Sequence, residues 1–320
     1  MHVTFAGSPD RVEARLVPEA GYELDTFRIS GLPRRPSVAL ARALMQAGAA
    51  PRACRRILRS RQPDVVLGAG GFVAGPMVYA ASRLGIPTAL TEADAHLGLA
   101  NRLVAPFARR LFLAYPLTTR FAAKTRVVGR PIPPAEPVSK GEARALFELP
   151  DDGPVLGVFG ALAGATALNE FAVATWGERG PAVLHQTGRR DFEHVLERVR
   201  RPDYRVIPET DRFAAALTAC DLVVARSGSS VWEIAAAARP AILVPYPYAT
   251  GDHQALNAQH FVDAGGALIV READLAQVPL LVDGLLADPA RLARMGDAMR
   301  VAARPDAADV IADELVALTG

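Results

Sequence analysis

The sequence predicts an α/β protein of two parallel-sheet domains, and three observations predict it. Short apolar runs of strand type recur along the chain, most of them separated by ten or more residues of helical character. Strands spaced in this way are joined by crossover helices and lie parallel. Four prolines within residues 129–137 interrupt the series. Proline continues neither a helix nor a central strand, so this stretch reads as a linker. A chain of 320 residues is also long enough for two domains that each bury a core.

In the first half, residues 3–6, 65–68, 88–91, 111–114 and 126–128 read as strands. In the second half, residues 155–159, 183–186, 204–207, 222–225 and 241–245 do. Residues 65–82 carry no charge and are long enough for a membrane span. They contain Gly68, Gly70, Gly71, Gly75 and Pro76, so they read as strand, glycine loop and buried helix, with Pro76 at the helix start. A final helical segment at 306–320 is expected to pack back on the first domain. The expected domains are residues 1–134 together with 306–320, and residues 135–305.

Half the residues are apolar and 22% are charged, as in a soluble globular protein. Cys54 and Cys220 have no metal-type spacing and read as two buried thiols. The N-terminus lacks the basic and apolar regions of a signal peptide. The net charge of +2 conceals an asymmetry: residues 1–140 carry 20 Lys/Arg and 9 Asp/Glu, whereas 141–320 carry 16 and 25. A basic first half suits an anionic membrane surface or an anionic substrate. An apolar and basic stretch, Leu103 to Leu111, with Arg34, Arg35, Arg55, Arg56 and Arg59, suits the same surface.

The most informative stretch is Arg226-Ser227-Gly228-Ser229-Ser230-Val231-Trp232-Glu233, between an apolar strand and helix formers. A strand–turn–helix of small residues offers main-chain N–H groups and a positive helix end to a phosphate. Glu233, one turn on, can accept hydrogen bonds from ribose hydroxyls. After the next strand comes Asp252-His253-Gln254-Ala255-Leu256-Asn257, whose Gln254 and Asn257 suit sugar hydroxyls and whose His253 flanks them. Loops after neighbouring parallel strands face one crevice. Gly68 to Pro76 has the same strand–turn–helix order and can hold a pyrophosphate. Past another strand end, Glu92, Asp94 and His96 can supply a base.

Together these motifs resemble glycosyltransferase family 28, the family of the peptidoglycan N-acetylglucosaminyltransferases, over nearly the whole chain. The resemblance implies a GT-B fold: two Rossmann-like parallel-sheet domains facing a cleft. It implies inverting transfer of N-acetylglucosamine from UDP-GlcNAc to a muramoyl-pentapeptide on undecaprenyl diphosphate, at the cytoplasmic face of the cell membrane, peripherally bound. No cofactor, metal or nucleic acid is implied. The donor set carried over is Gly164, Asn169, Thr187, Thr210, Arg226, Ser227, Gly228, Ser229, Glu233, His253 and Gln254. On the acceptor side it is Gly70, Gly71, Phe72, Gly75 and Asn101, and the catalytic pair is Glu92 and His96.

Departures are visible. Phe72 and Ala74 stand where the family has tyrosine and serine, and Thr91, Ala93 and Asp94 break its His-Glu-Gln-Asn motif. Ala161 and Leu162 replace a glycine and a serine of the donor loop. The family's opening strand, glycine-rich loop and helix have no counterpart, which implies a start placed late or a degenerate paralogue, and exposed strand edges. The departures keep open a transferase with another lipid or natural-product acceptor, and a non-catalytic nucleotide-sugar-binding paralogue.

Overall fold

The computed structural model describes residues 2–30, 38–134, 137–160 and 165–320. The chain divides into two units, Met1–Val128 with Asp309–Gly320, and Gly129–Ala308.

Unit 1 runs β1 (Thr4–Gly7), α1 (Glu13–Glu19), β2 (Glu23–Thr26), α2 (Val38–Arg61), β3 (Val66–Gly68), α3 (Gly71–Arg83), β4 (Thr88–Glu92), α4 (Leu99–Val104), β5 (Arg110–Leu113) and β6 (Thr125–Val127). Its strands form two parallel sheets, β1-β2 and β3-β4-β5-β6. Ala6 of β1 and Val66 of β3 pack against one cluster that includes Cys54, Leu58, Met77 and Ala80. Among the described residues β1 pairs only with β2 and β3 only with β4. Each therefore keeps one edge without a strand partner, and Phe5 and Leu67 on these strands are exposed.

Unit 2 runs α5 (Lys140–Leu146), β7 (Val155–Phe159), α6 (Thr166–Trp176), β8 (Ala182–Gln186), α7 (Phe192–Leu196), β9 (Tyr204–Ile207), α8 (Phe213–Ala219), β10 (Leu222–Ala225), α9 (Val231–Ala236), β11 (Ala241–Leu243), α10 (His253–Asp263), β12 (Ala267–Ile269), α11 (Val278–Leu286) and α12 (Pro289–Ala303). All six strands are parallel in the order β12-β11-β10-β7-β8-β9. The strands β7, β8, β10 and β11 are buried along their whole length, as expected of a sheet covered on both faces. The last helix, α13 (Ala307–Ala317), belongs mainly to unit 1: Ile311 packs with Ala89, Phe112 and Val128. Arg110 and Arg126 reach Glu314 on that helix at 3.0 and 3.6 Å.

Two strands escape the sequence pattern. β2 reads Glu-Leu-Asp-Thr and lies at an edge, where charges are tolerated and no apolar run forms. β12 is only three residues long. Pro76 is not at a helix start but inside α3, which begins at Gly71. Cys54 and Cys220 are buried and unpaired, and burial pushes both thiols up to about 12.

Candidate functional site

In unit 2 the chain leaves β7 toward β8 and leaves β10 toward β11, on opposite sides of the sheet. The carboxyl ends of these adjacent strands are the topological switch point, where open α/β sheets bind ligands. The turn after β10 is held in place by its own polar side chains. Arg226 is buried, and its guanidinium donates to the carbonyls of Val244 and Pro245 at 3.3 and 3.2 Å and pairs with Glu272. The Ser227 hydroxyl, fully buried, donates to the Gln254 carbonyl at 2.8 Å. Gln254 Oε1 accepts from the Tyr246 N–H at 2.9 Å. Three loops are thus bolted together.

A buried guanidinium needs carbonyls and a counter-charge, and that of Arg226 has both within the protein. Gly228 and Ser229 remain at the surface end of the turn. The N–H groups of Gly228, Ser229 and Ser230 make no hydrogen bond to any described residue. Glu233 is half-buried within α9 and also lacks a described hydrogen-bond partner. Burial raises its pKa, opposed by the positive charge of Arg130. His253 opens α10, behind Asp252, whose backbone is left-handed (φ 53°) and whose carboxylate accepts from the Arg271 guanidinium at 3.1 and 3.0 Å.

Asn169 and Thr187 face inward. Asn169 Nδ2 donates to the Thr187 carbonyl and to Asp191, both at 2.9 Å, so its Oδ1 faces His185 Nε2 at 3.0 Å. That oxygen can only accept, so Nε2 carries the proton and Nδ1 accepts from the Tyr204 hydroxyl at 2.9 Å. Asp191 also accepts from Thr166 and from Arg190, which with its other partners holds the carboxylate down at about 2. The Thr187 hydroxyl donates to the Gly188 carbonyl. Both residues brace the β8 loop and the start of α6 through these bonds. Thr210 Oγ1 accepts from the Arg212 N–H at 3.0 Å and shapes the entry to α8. Gly164 lies outside the described residues. Tyr204 and Asp191, which complete the network, carried no sequence signal: neither belongs to a motif.

Burial depresses the His185 pKa to about 3. An unfolded histidine takes a proton near 6.5, so between about 6.5 and 3 the unfolded chain binds more protons than the folded one. Stability contributed by His185 is whole above that window and falls as pH drops through it, by roughly 1.4 kcal/mol per pH unit. Urea unfolding at pH 7 and 4.5 measures this, and His185→Gln is expected to flatten the pH dependence. Equal slopes for both chains would refute the assignment.

In unit 1 the loop after β3 carries Gly70 and Gly71 at φ +87° and +69°, a region that favours glycine. A Cβ on Gly70 would lie 3.8 Å from the Thr91 carbonyl, so this loop runs beside the end of β4. Phe72 is half-buried, with the Arg11 guanidinium 5.5 Å above its ring. Gly75 is a packing position: its Cβ would stand 3.7 Å from Val104 of α4. Asn101 is buried, and its Nδ2 donates to the Thr91 carbonyl and to Glu92 Oε2, both at 2.9 Å.

Glu92 ends β4 with its carboxylate turned into its own loop. Oε1 accepts from the N–H groups of Ala93 and Asp94 at 3.1 and 3.4 Å. Oε2 accepts from Gly98 N–H at 2.8 Å and from Asn101. Four donors occupy the lone pairs that a general base would use. In this arrangement the Glu92 carboxylate braces the loop from Ala93 to Asn101. His96 borders a cavity of about 410 Å³ together with Arg102, Leu117 and Phe121.

Two parallel-sheet units, one presenting open main-chain N–H groups and a carboxylate at its switch point, define a glycosyltransferase of the GT-B type. The descriptions glycosyltransferase family 28 N-terminal domain and C-terminal domain match residues 1–113 and 155–311. The chain belongs to glycosyltransferase family 28. It is 39% identical over 337 residues to a protein of Acidithiobacillus ferrooxidans, covering 100% of this chain and 91% of the relative. A Mycobacterium bovis protein is 40% identical over 344 residues, covering 100% and 82%. Both are named UDP-N-acetylglucosamine–N-acetylmuramyl-(pentapeptide) pyrophosphoryl-undecaprenol N-acetylglucosamine transferase. The crystal structure of MurG from Acinetobacter baumannii matches with a TM-score of 0.79 and 26% identity, over 98% of this chain and 90% of that one.

Proposed function

We propose that the chain transfers N-acetylglucosamine from UDP-GlcNAc to a muramoyl-pentapeptide borne on undecaprenyl diphosphate. The observation that carries the reading is the turn after β10. Its N–H groups at 228–230, unbonded among the described residues, and the half-buried Glu233, which accepts no hydrogen bond from a described residue, offer a phosphate cradle beside a carboxylate.

In the reaction, the acceptor hydroxyl oxygen attacks the anomeric carbon in line with the departing diphosphate. The new C–O bond forms as the C1–O bond to UDP breaks, inverting the centre. The hydroxyl proton passes to a base, for which His96 is our candidate; Glu92 and Asn101 hold the loop that carries it. Open N–H groups at the turn oppose the charge developing on the diphosphate. Glu233 orients the donor through the ribose hydroxyls.

No described helix is long and apolar enough to cross a membrane. We place the enzyme peripherally at the cytoplasmic membrane face. Support comes from the basic first half and from Leu99, Leu103 and Phe107, exposed along α4 and the turn after it.

The test is UDP release from UDP-GlcNAc with and without acceptor in neutral or anionic vesicles. Acceptor-dependent release, faster on anionic vesicles, is expected. Glu233→Gln is expected to raise KM for the donor about tenfold, the loss of a charge-assisted contact. UDP binding without release would leave a nucleotide-sugar-binding protein.

A further inference from the structure

We propose that a cavity at the amino-terminal ends of β10 and β11 in unit 2 binds a free apolar α-amino acid. The inference stands apart from the transferase reading, because this end of the sheet lies opposite the turn after β10. Four strand residues, roughly 13 Å, separate the two. The cavity holds about 360 Å³, within the size range of small-molecule sites. One wall is a single face of α12: Pro289, Leu292, Ala293, Gly296 and Asp297 follow the spacing of one helical stripe. The facing wall is the turn Ala238-Arg239-Pro240 between α9 and β11, with Asp221 at the start of β10. Gly296 lets the walls meet, since a Cβ there would stand 2.6 Å from the Ala238 carbonyl oxygen.

The polar groups of the cavity are unevenly satisfied. Arg239 is half-buried, and its guanidinium donates to the Cys220 carbonyl at 3.0 Å. Its Nε is buried without a hydrogen-bond partner, and the side chain pairs with no carboxylate among the described residues. The nearby Asp221 is already occupied: it pairs with Lys140 and accepts from Arg144 and the Val155 N–H, both at 2.9 Å. Three cations therefore share one carboxylate, and a half-buried guanidinium without its own counter-charge favours an incoming anion. Asp297, exposed on the α12 side, accepts from Arg300 at 3.0 Å through one oxygen only. A plain carboxylate would satisfy Arg239 and be repelled by Asp297. A molecule with an ammonium beside its carboxylate meets both, and an apolar side chain covers Leu292, Ala293 and Pro240. An apolar α-amino acid has these three parts.

The experiment titrates the full chain calorimetrically with L-phenylalanine, phenylpropionate, phenylalaninamide and glycine. The second lacks the ammonium, the third the carboxylate and the fourth the apolar body. Phenylalanine is expected to bind at millimolar concentration or below, and each of the others at least about tenfold more weakly. Arg239→Gln and Asp297→Asn are each expected to weaken phenylalanine by about tenfold. Arg239→Gln should do so without lowering the melting temperature, because the guanidinium it removes has no counter-charge of its own. Ala293→Trp, at an exposed helical position on the wall, should fill the cavity and abolish binding. Phenylalanine and UDP are expected to bind together, each leaving the other's affinity within about twofold. No binding of phenylalanine, equal binding of phenylpropionate or phenylalaninamide, normal binding by all three variants, or competition with UDP would each overturn the proposal. Failure of acceptor-dependent UDP release would remove the transferase reading and leave this site untouched.

Discussion

Glu92→Gln is expected to lower acceptor-dependent UDP release by roughly 100-fold and to destabilise unit 1 at the same time. The carboxylate takes hydrogen bonds from Ala93, Asp94, Gly98 and Asn101, two at each oxygen. Glutamine must place its amide nitrogen at one of those positions, so two N–H donors then face a donor. Leaving them unpaired in a buried loop costs about 2–4 kcal/mol. Thermal unfolding and initial rates on one preparation check this. A general base would behave differently: activity would fall with melting unchanged, and the acidic limb of the pH–rate profile would disappear. Such a result would return Glu92 to the chemistry.

Arg226→Met is expected to destabilise unit 2 by roughly 2–4 kcal/mol, a buried-pair loss discounted because Glu272 is partly exposed. The change leaves Glu272 without its cation and the Val244 and Pro245 carbonyls without their donor. UDP affinity should fall in step, because the 226–230 turn loses its anchor on the loop after β11. Combining it with Glu272→Gln should recover part of the stability, since the two residues interact directly. An increase in donor KM above tenfold with unchanged melting would mean that Arg226 touches the donor itself.

Much of the fold was legible because both halves follow one simple pattern. Buried parallel strands such as Val155–Phe159 and Leu222–Ala225 are apolar throughout, and glycine- or serine-rich turns follow several of them. What escaped were β2, whose charged edge position removes the apolar signal, and β12 at the edge of the second sheet. The site was legible as a set of loops and less so as a set of contacts. Gly228, Ser229 and Glu233 stand open at the turn, whereas Arg226, Ser227, Asn169 and Thr187 are buried and bonded inside.

The sequence by itself determined the alternation of strands and helices, the family, the opposed charges of the two halves and the small-residue turn after β10. These follow from local periodicity and residue type, which a linear chain displays directly. Only the tertiary structure decided which polar groups are bonded between loops and which are left open. Serine, asparagine, arginine and glutamate serve either purpose. The choice depends on which carbonyls and N–H groups the neighbouring strands bring within about 3 Å, and that is a property of the packed sheet.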